Sequence, residues 1–321
     1  MNRAVRVETP AKLNLGLALV GTRPDGYHLL ESVFAPIALY DELEISVEPG
    51  AEGIVLECGP PLDPELPEAL HRVPSGPDNL VHRAAQLFCE RTRYRARVSI
   101  RLRKGIPAGA GLGGGSSDAA AVLRGLSALS NLSLPPGALA RFALELGADV
   151  PYFLSPRPAL VTGIGERIEP VEGLPELSVV LVNPGKTLAT ADVYRMADQL
   201  GGALTKQLPG STMRALSGLT KSYREAAPAL RDLLINDLEP AARRLCPSLE
   251  RIADRLDRLG ASAVSMTGSG ATVFGVFASE HATREAVDRW RADEAGMPSD
   301  GLGHEPEPRC WIRATRVLAG D

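Results

Sequence analysis

Aromatic residues make up only 4% of this 321-residue chain, and cysteine is scarcer still, with four in all. Cys58, Cys89, Cys246 and Cys310 stand far apart and form no C-x-x-C pair, which excludes a zinc ribbon or a disulfide framework and suits a reducing compartment. The five histidines show no ligand spacing either. Positive charge is not in excess: the formal net charge is −4, so no basic face argues for nucleic acid or anionic lipid. Long apolar runs are missing too. Ala261 to Ser279 carries no charge, but Gly, Ser and Thr interrupt it, and a membrane span needs about 20 mostly apolar residues. The opening Met1-Asn2-Arg3-Ala4-Val5 has no signal-peptide character. These absences leave a soluble, cytoplasmic protein with no nucleic-acid or membrane partner as the expectation.

Glycine, in contrast, is concentrated. Five glycines fall among the seven residues from Gly109 to Gly115, inside Pro107-Ala-Gly-Ala-Gly-Leu-Gly-Gly-Gly-Ser-Ser-Asp118. The run follows a predicted strand, Arg95 to Leu102, and feeds a predicted helix, Ser116 to Ser130. Glycine admits positive φ and close approach, and a helix N-terminus supplies unpaired N–H donors with partial positive charge. Together they make a nest for phosphate oxygens.

Spacing then sorts the nucleotide folds. Gly109, Gly111 and Gly114 satisfy G-x-G-x-x-G, but Leu129 to Pro136 holds no acidic residue to take a ribose. Gly185-Lys186-Thr187 ends like a P-loop, yet the position five before Gly185 is Val180. The H-R-D and D-F-G elements of protein kinases are absent from the sequence.

Elsewhere, residues 3 to 57 read as strands, and a helix is predicted from Asp78 or Asn79, with another over Gly137 to Leu146. The second half predicts a buried strand over Leu177 to Val182. Helices are predicted over Ala191 to Gln199, Leu238 to Leu245, Ser248 to Leu259 and Glu280 to Ala292. A hairpin-like pair spans Ala263 to Phe277, and Trp311 to Val317 forms a last strand. The pattern is α+β in two domains, residues 1–158 and 159–321. Gly59 to Pro77, Gly201 to Lys221 and Glu294 to Pro308 read as surface insertions.

The glycine run resembles the ATP loop of the GHMP kinase superfamily. Pro10-Ala-Lys-Leu-Asn-Leu15 precedes it and Thr267-Gly-Ser-Gly-Ala271 follows, in the order that superfamily uses. The resemblance implies an N-terminal S5 domain 2-like α/β domain holding ATP. It also implies a C-terminal ferredoxin-like α+β domain that contributes to the substrate pocket. Arg23-Pro-Asp-Gly-Tyr-His28 and Leu146-Gly-Ala-Asp-Val-Pro-Tyr-Phe153 are similar to the branch that phosphorylates the 2-hydroxyl of a cytidine-bearing methylerythritol in the non-mevalonate isoprenoid route.

The resemblance implies that Lys12 and Asp149 are the catalytic pair. A carboxylate takes the hydroxyl proton, and an ammonium keeps it ionised and orients the hydroxyl. Asn14, Tyr27, His28, Thr190, Tyr194 and Gly268 match its substrate contacts. Asn79, Lys104, Pro107, Gly109, Gly111, Leu112, Gly113, Gly114, Gly115, Ser116 and Ser117 match its ATP side, with Ser116 or Ser117 available to Mg²⁺. Asp118 is expected to point away from the triphosphate or to reach a cation. Pro151 is expected to hold Val150 extended. Mevalonate-type or homoserine-type kinases, a diphosphomevalonate decarboxylase-like enzyme and an inactive nucleotide-binding module are the alternatives. The expected assembly is a monomer or weak homodimer.

Overall fold

In a computed structural model, which describes residues 3–201, 234–296 and 309–319, two long strands form the spine. β1 (Arg3–Thr22) and β2 (His28–Pro49) pair antiparallel through a turn at Arg23–Tyr27. The register of β1 shifts at Pro10/Ala11, Asn14/Leu17 and Leu19/Gly21, and such bulges bend a strand and re-aim its side chains. Between them the period of two sends Ala11, Leu13 and Leu15 into an apolar core, with Lys12 and Asn14 on the other face.

β3 (Gly53–Cys58), β4 (Ala96–Arg103), β5 (Ala159–Gly163) and β6 (Arg167–Pro170) complete the first sheet, in the order β3-β4-β2-β5-β6 with β1 on β2. Only β3 and β4 run parallel within it. One face is covered by α2 (Leu80–Thr92), α3 (Gly114–Ser130) and α4 (Ala138–Leu146), which follow the short α1 (Glu68–His71). Ala119, Ala120 and Ala121 let α3 sit close against β1 and β2, burying Leu43, Ile45 and Val47 with Val122 and Leu126.

The second sheet is antiparallel, β10-β7-β9-β8: β7 (Ser178–Asn183), β8 (Ala263–Met266), β9 (Val273–Phe277) and β10 (Trp311–Arg316). Val180 and Val182 of β7 face α5 (Thr190–Gln199), α6 (Glu239–Leu245), α7 (Ser248–Arg258) and α8 (Glu280–Gly296). Val179 and Leu181 face the first sheet, packing with Leu13, Val33 and Ile37. A strand buried on both faces has no polar side, which is why this segment reads as one apolar run.

Three expectations need correction. The first sheet does not end at residue 158, because β5 pairs with β2 and β6 with β5. Gly59 to Pro77 is no surface insertion: Leu66, just before α1, and Leu70 within it enter the central core, and Asp63 accepts a hydrogen bond from Trp311 Nε1 at 3.1 Å. Val150 is helical (φ −63°, ψ −40°), not extended. The next residue, Pro151, opens a 3₁₀ turn (Pro151–Leu154), and at a first helical position its missing N–H is no loss. Residues 202–221 and 297–308, in the other two expected insertions, lie outside the described residues.

Candidate active site

A cleft of about 860 Å³ opens where the glycine run, the β1–β2 hairpin, the turn after α4, the start of α5 and the β8–β9 connection converge. The loop geometry demands glycine at particular places. Gly111 and Gly113 have φ of 78° and 73°. A Cβ on Gly111 would lie 2.1 Å from the Thr267 carbonyl oxygen, and one on Gly113 would lie 2.7 Å from the Phe153 ring. Gly113 caps α3 with no side chain, so the helix presents its first-turn N–H groups along the cleft wall formed by Gly113 to Ser116.

Lys12 projects into this cleft from β1, almost fully buried. Its Nζ donates to Asn14 Oδ1 at 2.5 Å, stands 3.9 Å from Asp149 Oδ2 and lies 4.6 Å above the Phe34 ring. Burial lowers its pKa, and the Asp149 carboxylate partly restores it. Asn14 is held in orientation: its Nδ2 donates to Ser32 Oγ at 2.8 Å, and Ser32 donates onward to the Gly16 carbonyl at 2.6 Å. Asn14 Oδ1 is therefore the face turned to Lys12. Asp149 sits in the tight turn between α4 and the 3₁₀ turn, where the Val150 N–H donates to the Gly147 carbonyl at 3.2 Å. Its carboxylate remains 35% exposed, on the cleft.

Aromatic rings gather at the far end. Tyr27 is 61% exposed at the rim. His28 stacks obliquely on Tyr194, centroids 4.9 Å apart, and its Nε2 lies 2.8 Å from Asp198 Oδ1. Burial first, then the Asp149 charge, pushes the Tyr194 phenol up to about 12, so it stays protonated at neutral pH. Thr190 Oγ1 and Ser269 Oγ are 2.9 Å apart. Gly268 touches Gly111, and its carbonyl accepts from Asn236 Nδ2 at 2.9 Å.

The structure thus brings Lys12, Asn14, Tyr27, His28, Pro107, Gly109, Gly111, Gly113, Gly114, Gly115, Ser116, Asp149, Thr190, Tyr194 and Gly268 to one cleft. Four expected residues do not line it. Ser117 donates to the Pro10 carbonyl at 2.7 Å and contacts the Thr9 hydroxyl, so it is tied to β1 and turned from any metal. Leu112 belongs to the central core. Asn79 caps α2, accepting from the Val81 N–H at 2.9 Å beside the cleft residue Leu80. Lys104 lies under the loop between Asp41 and Asp118. Asp118 has reached a cation, as expected, but that cation is Lys104.

Ser32, Asp198 and Asn236 were not foreseen, and Ser269 only as part of the Thr267 to Ala271 motif. Their partners lie up to 170 residues away in sequence, as with His28 and Asp198, and no local spacing announces such a pairing.

Comparison with known proteins completes the description. The GHMP kinases N terminal domain matches residues 79–156 and the GHMP kinases C terminal domain matches residues 213–295. The chain is 39% identical to the 4-diphosphocytidyl-2-C-methyl-D-erythritol kinase of Citrifermentans bemidjiense over 89% of its own length and 94% of that protein's. It is 37% identical to the enzyme of the same name from Sinorhizobium medicae over 98% and 95%. A crystal structure of 4-(cytidine 5'-diphospho)-2C-methyl-D-erythritol kinase superposes with a TM-score of 0.74 at 35% identity, covering 98% of this chain and 100% of that one. L. major mevalonate kinase, at 18% identity and a TM-score of 0.65 over 99% and 97%, shares the fold.

Proposed function

The chain belongs to the GHMP kinase family, among the 4-diphosphocytidyl-2-C-methyl-D-erythritol kinases, and from that premise we infer its reaction. It transfers the γ-phosphoryl group of ATP to the 2-hydroxyl of 4-diphosphocytidyl-2-C-methyl-D-erythritol, in the non-mevalonate isoprenoid route. The hydroxyl oxygen forms a bond to the γ-phosphorus, the bond from that phosphorus to the bridging oxygen breaks, and ADP leaves. Phosphoryl transfer passes through a loose transition state, so alignment and charge do most of the work.

Asp149 takes the hydroxyl proton. Lys12, fixed by Asn14, orients that hydroxyl and holds positive charge beside the developing phosphoryl oxygens. The first-turn N–H groups of α3 and the turns of the glycine loop receive the polyphosphate. Tyr27, His28 and Tyr194 give the cytosine ring faces to stack on. Mg²⁺ bound with ATP takes few protein ligands, and Ser116, which lines the cleft, would suit it better than Ser117, whose hydroxyl is tied to β1. When bound, it neutralises part of the triphosphate charge.

One observation carries the site assignment: Lys12 and Asp149, 137 positions apart in sequence, meet at 3.9 Å on a wall of the cleft that the glycine loop also lines. Asp149→Asn removes the base and keeps the shape. It should lower kcat by roughly 10²–10⁴-fold while the melting temperature and ATP binding hold. Labelled ATP with the cytidine substrate, against mevalonate and homoserine, reads both activity and substrate choice. Near-normal turnover by the Asn variant would remove Asp149 from the mechanism.

A further inference from the structure

Beneath the glycine loop lies a sealed group of charges that the reaction does not use. Lys104 Nζ is hydrogen-bonded to Asp41 Oδ2 and donates to Asp118 Oδ2 at 2.8 Å, and all three side chains are buried. The other oxygen of Asp41 accepts the backbone N–H of Gly105 at 2.7 Å and of Ile106 at 2.9 Å. Asp118 stands in the second turn of α3. Lys104 Nζ would be 3.1 Å from a Cβ built on Gly114, so the ammonium lies directly under the residue that opens the helix. Asp118 Oδ1 is buried with no hydrogen-bond partner.

These contacts tie three chain segments into one block. β2 holds the entry to the loop through Asp41, near the middle of the strand, and Lys104 reaches across to hold its exit through Asp118. Between the ties the loop is also held by Ala108 N–H to the Leu70 carbonyl, Lys12 N–H to the Leu112 carbonyl and Thr267 Oγ1 to the Gly111 carbonyl. Resting on the kinase reading above, we propose that Asp41, Lys104 and Asp118 are positioning residues, which act on ATP by fixing the distance between the two ends of its loop and make no contact with it.

The charges agree with this role. Burial alone would lower the Lys104 pKa, but Asp118 and Asp41 outweigh it and hold the ammonium charged. Burial first, then the Asp41 charge, raises the Asp118 carboxyl well above the usual carboxylate range.

A test follows from the sign of the effect. If Asp118 acted on ATP through its charge alone, deleting an acid near a polyphosphate would tighten binding. As a positioning residue, its loss should loosen the loop, and small displacements of this kind weaken binding and turnover markedly. Asp118→Ala should raise the KM for ATP by about tenfold or more, with the KM for the alcohol within about twofold. Asp118→Asn, which keeps an oxygen toward Lys104, should restore the wild-type value. Asp118→Ser carries the same test should the Ala variant not fold, because a serine hydroxyl is too short to span to Lys104. An unchanged or lowered KM for ATP in Asp118→Ala, or an Asn variant as impaired as the Ala variant, would overturn the proposal. Wild-type protein that binds no ATP would instead sink the kinase reading.

Discussion

Burial makes the Lys12 ammonium release its proton more readily than an exposed lysine, and Asp149 pulls the other way without cancelling the effect. The folded-state pKa therefore lies below the ordinary 10.5. Between those two values the unfolded chain holds a proton that the folded chain has lost, so this residue's contribution to stability rises with pH across that window. On the proposed mechanism activity goes the other way, because a neutral amine would no longer orient the hydroxyl or steady the Asp149 carboxylate. The expected pH–rate profile has an alkaline limb on kcat below the ordinary lysine range. Lys12→Met should be slow at neutral pH and lack that limb, while Lys12→Arg, always charged, should lack the limb as well. An alkaline limb that persists unchanged in Lys12→Met would assign it to another group. At this scale the sequence announces a residue when its function sits inside a short motif, as for Lys12, Asn14 and Asp149. It is silent on Lys104 and Ser117, whose hydrogen-bond partners Asp41 and Pro10 are remote along the chain. Their types alone suit a phosphate contact as well as an internal tie.

The glycine loop, as an element, is not uniformly dependent on glycine. Gly111 combines a positive φ with backbone contact to Thr267, whereas Gly115 is helical, exposed, and would bring a Cβ no closer than 3.6 Å to Leu80. Gly111→Ala meets a left-handed penalty of roughly 1–2 kcal/mol and also pushes on a neighbouring carbonyl that cannot swing aside. The expected outcome is a variant with a clearly lowered melting temperature and turnover reduced by about two orders of magnitude, given how steeply rate depends on alignment. Gly115→Ala should melt at or slightly above wild type, since alanine favours the helix, and keep most of its ATP affinity. Calorimetry with ATP titration checks both, and equal damage from the two substitutions would contradict the packing described. Composition showed five glycines but not which of them are required, because that depends on Thr267 and Phe153 arriving from distant turns. The same limit hid Leu66 and Leu70, which look like stray leucines in a Pro-rich stretch until the central core gives them a destination. Strand β7 was legible because burial on both faces writes itself as an unbroken apolar run, and β8 with β9 because two short strand patterns flank Thr267 to Gly270.

For the whole molecule, the two sheets share one core and do not pack as separate bodies. Ala11, Leu13, Val33 and Ile37 from the first sheet lie in the same cluster as Val179, Leu181, Phe274 and Trp311 from the second. Backbone pairing crosses as well: Leu17 bridges to Asn236, Ile37 to Val317, and the Leu318 N–H donates to the Pro36 carbonyl at 2.8 Å. Opening the halves would expose that cluster and strand those backbone groups, each costly to leave unpaired. Unfolding should therefore be a single cooperative step despite a length at which chains often unfold by parts. The chain supplies its own probe, since both tryptophans, Trp290 and Trp311, lie in the second half and are buried. Guanidinium curves from tryptophan fluorescence and from far-UV circular dichroism should superimpose. ATP, which we propose the glycine loop of the first half receives, should shift the tryptophan transition as far as the dichroism transition, by about 2.7 kcal/mol at a hundredfold excess over its Kd. A tryptophan transition unmoved by ATP would mean that the second half unfolds by itself, and the shared core would then not be what joins Lys12 on β1 to the turn at Thr267.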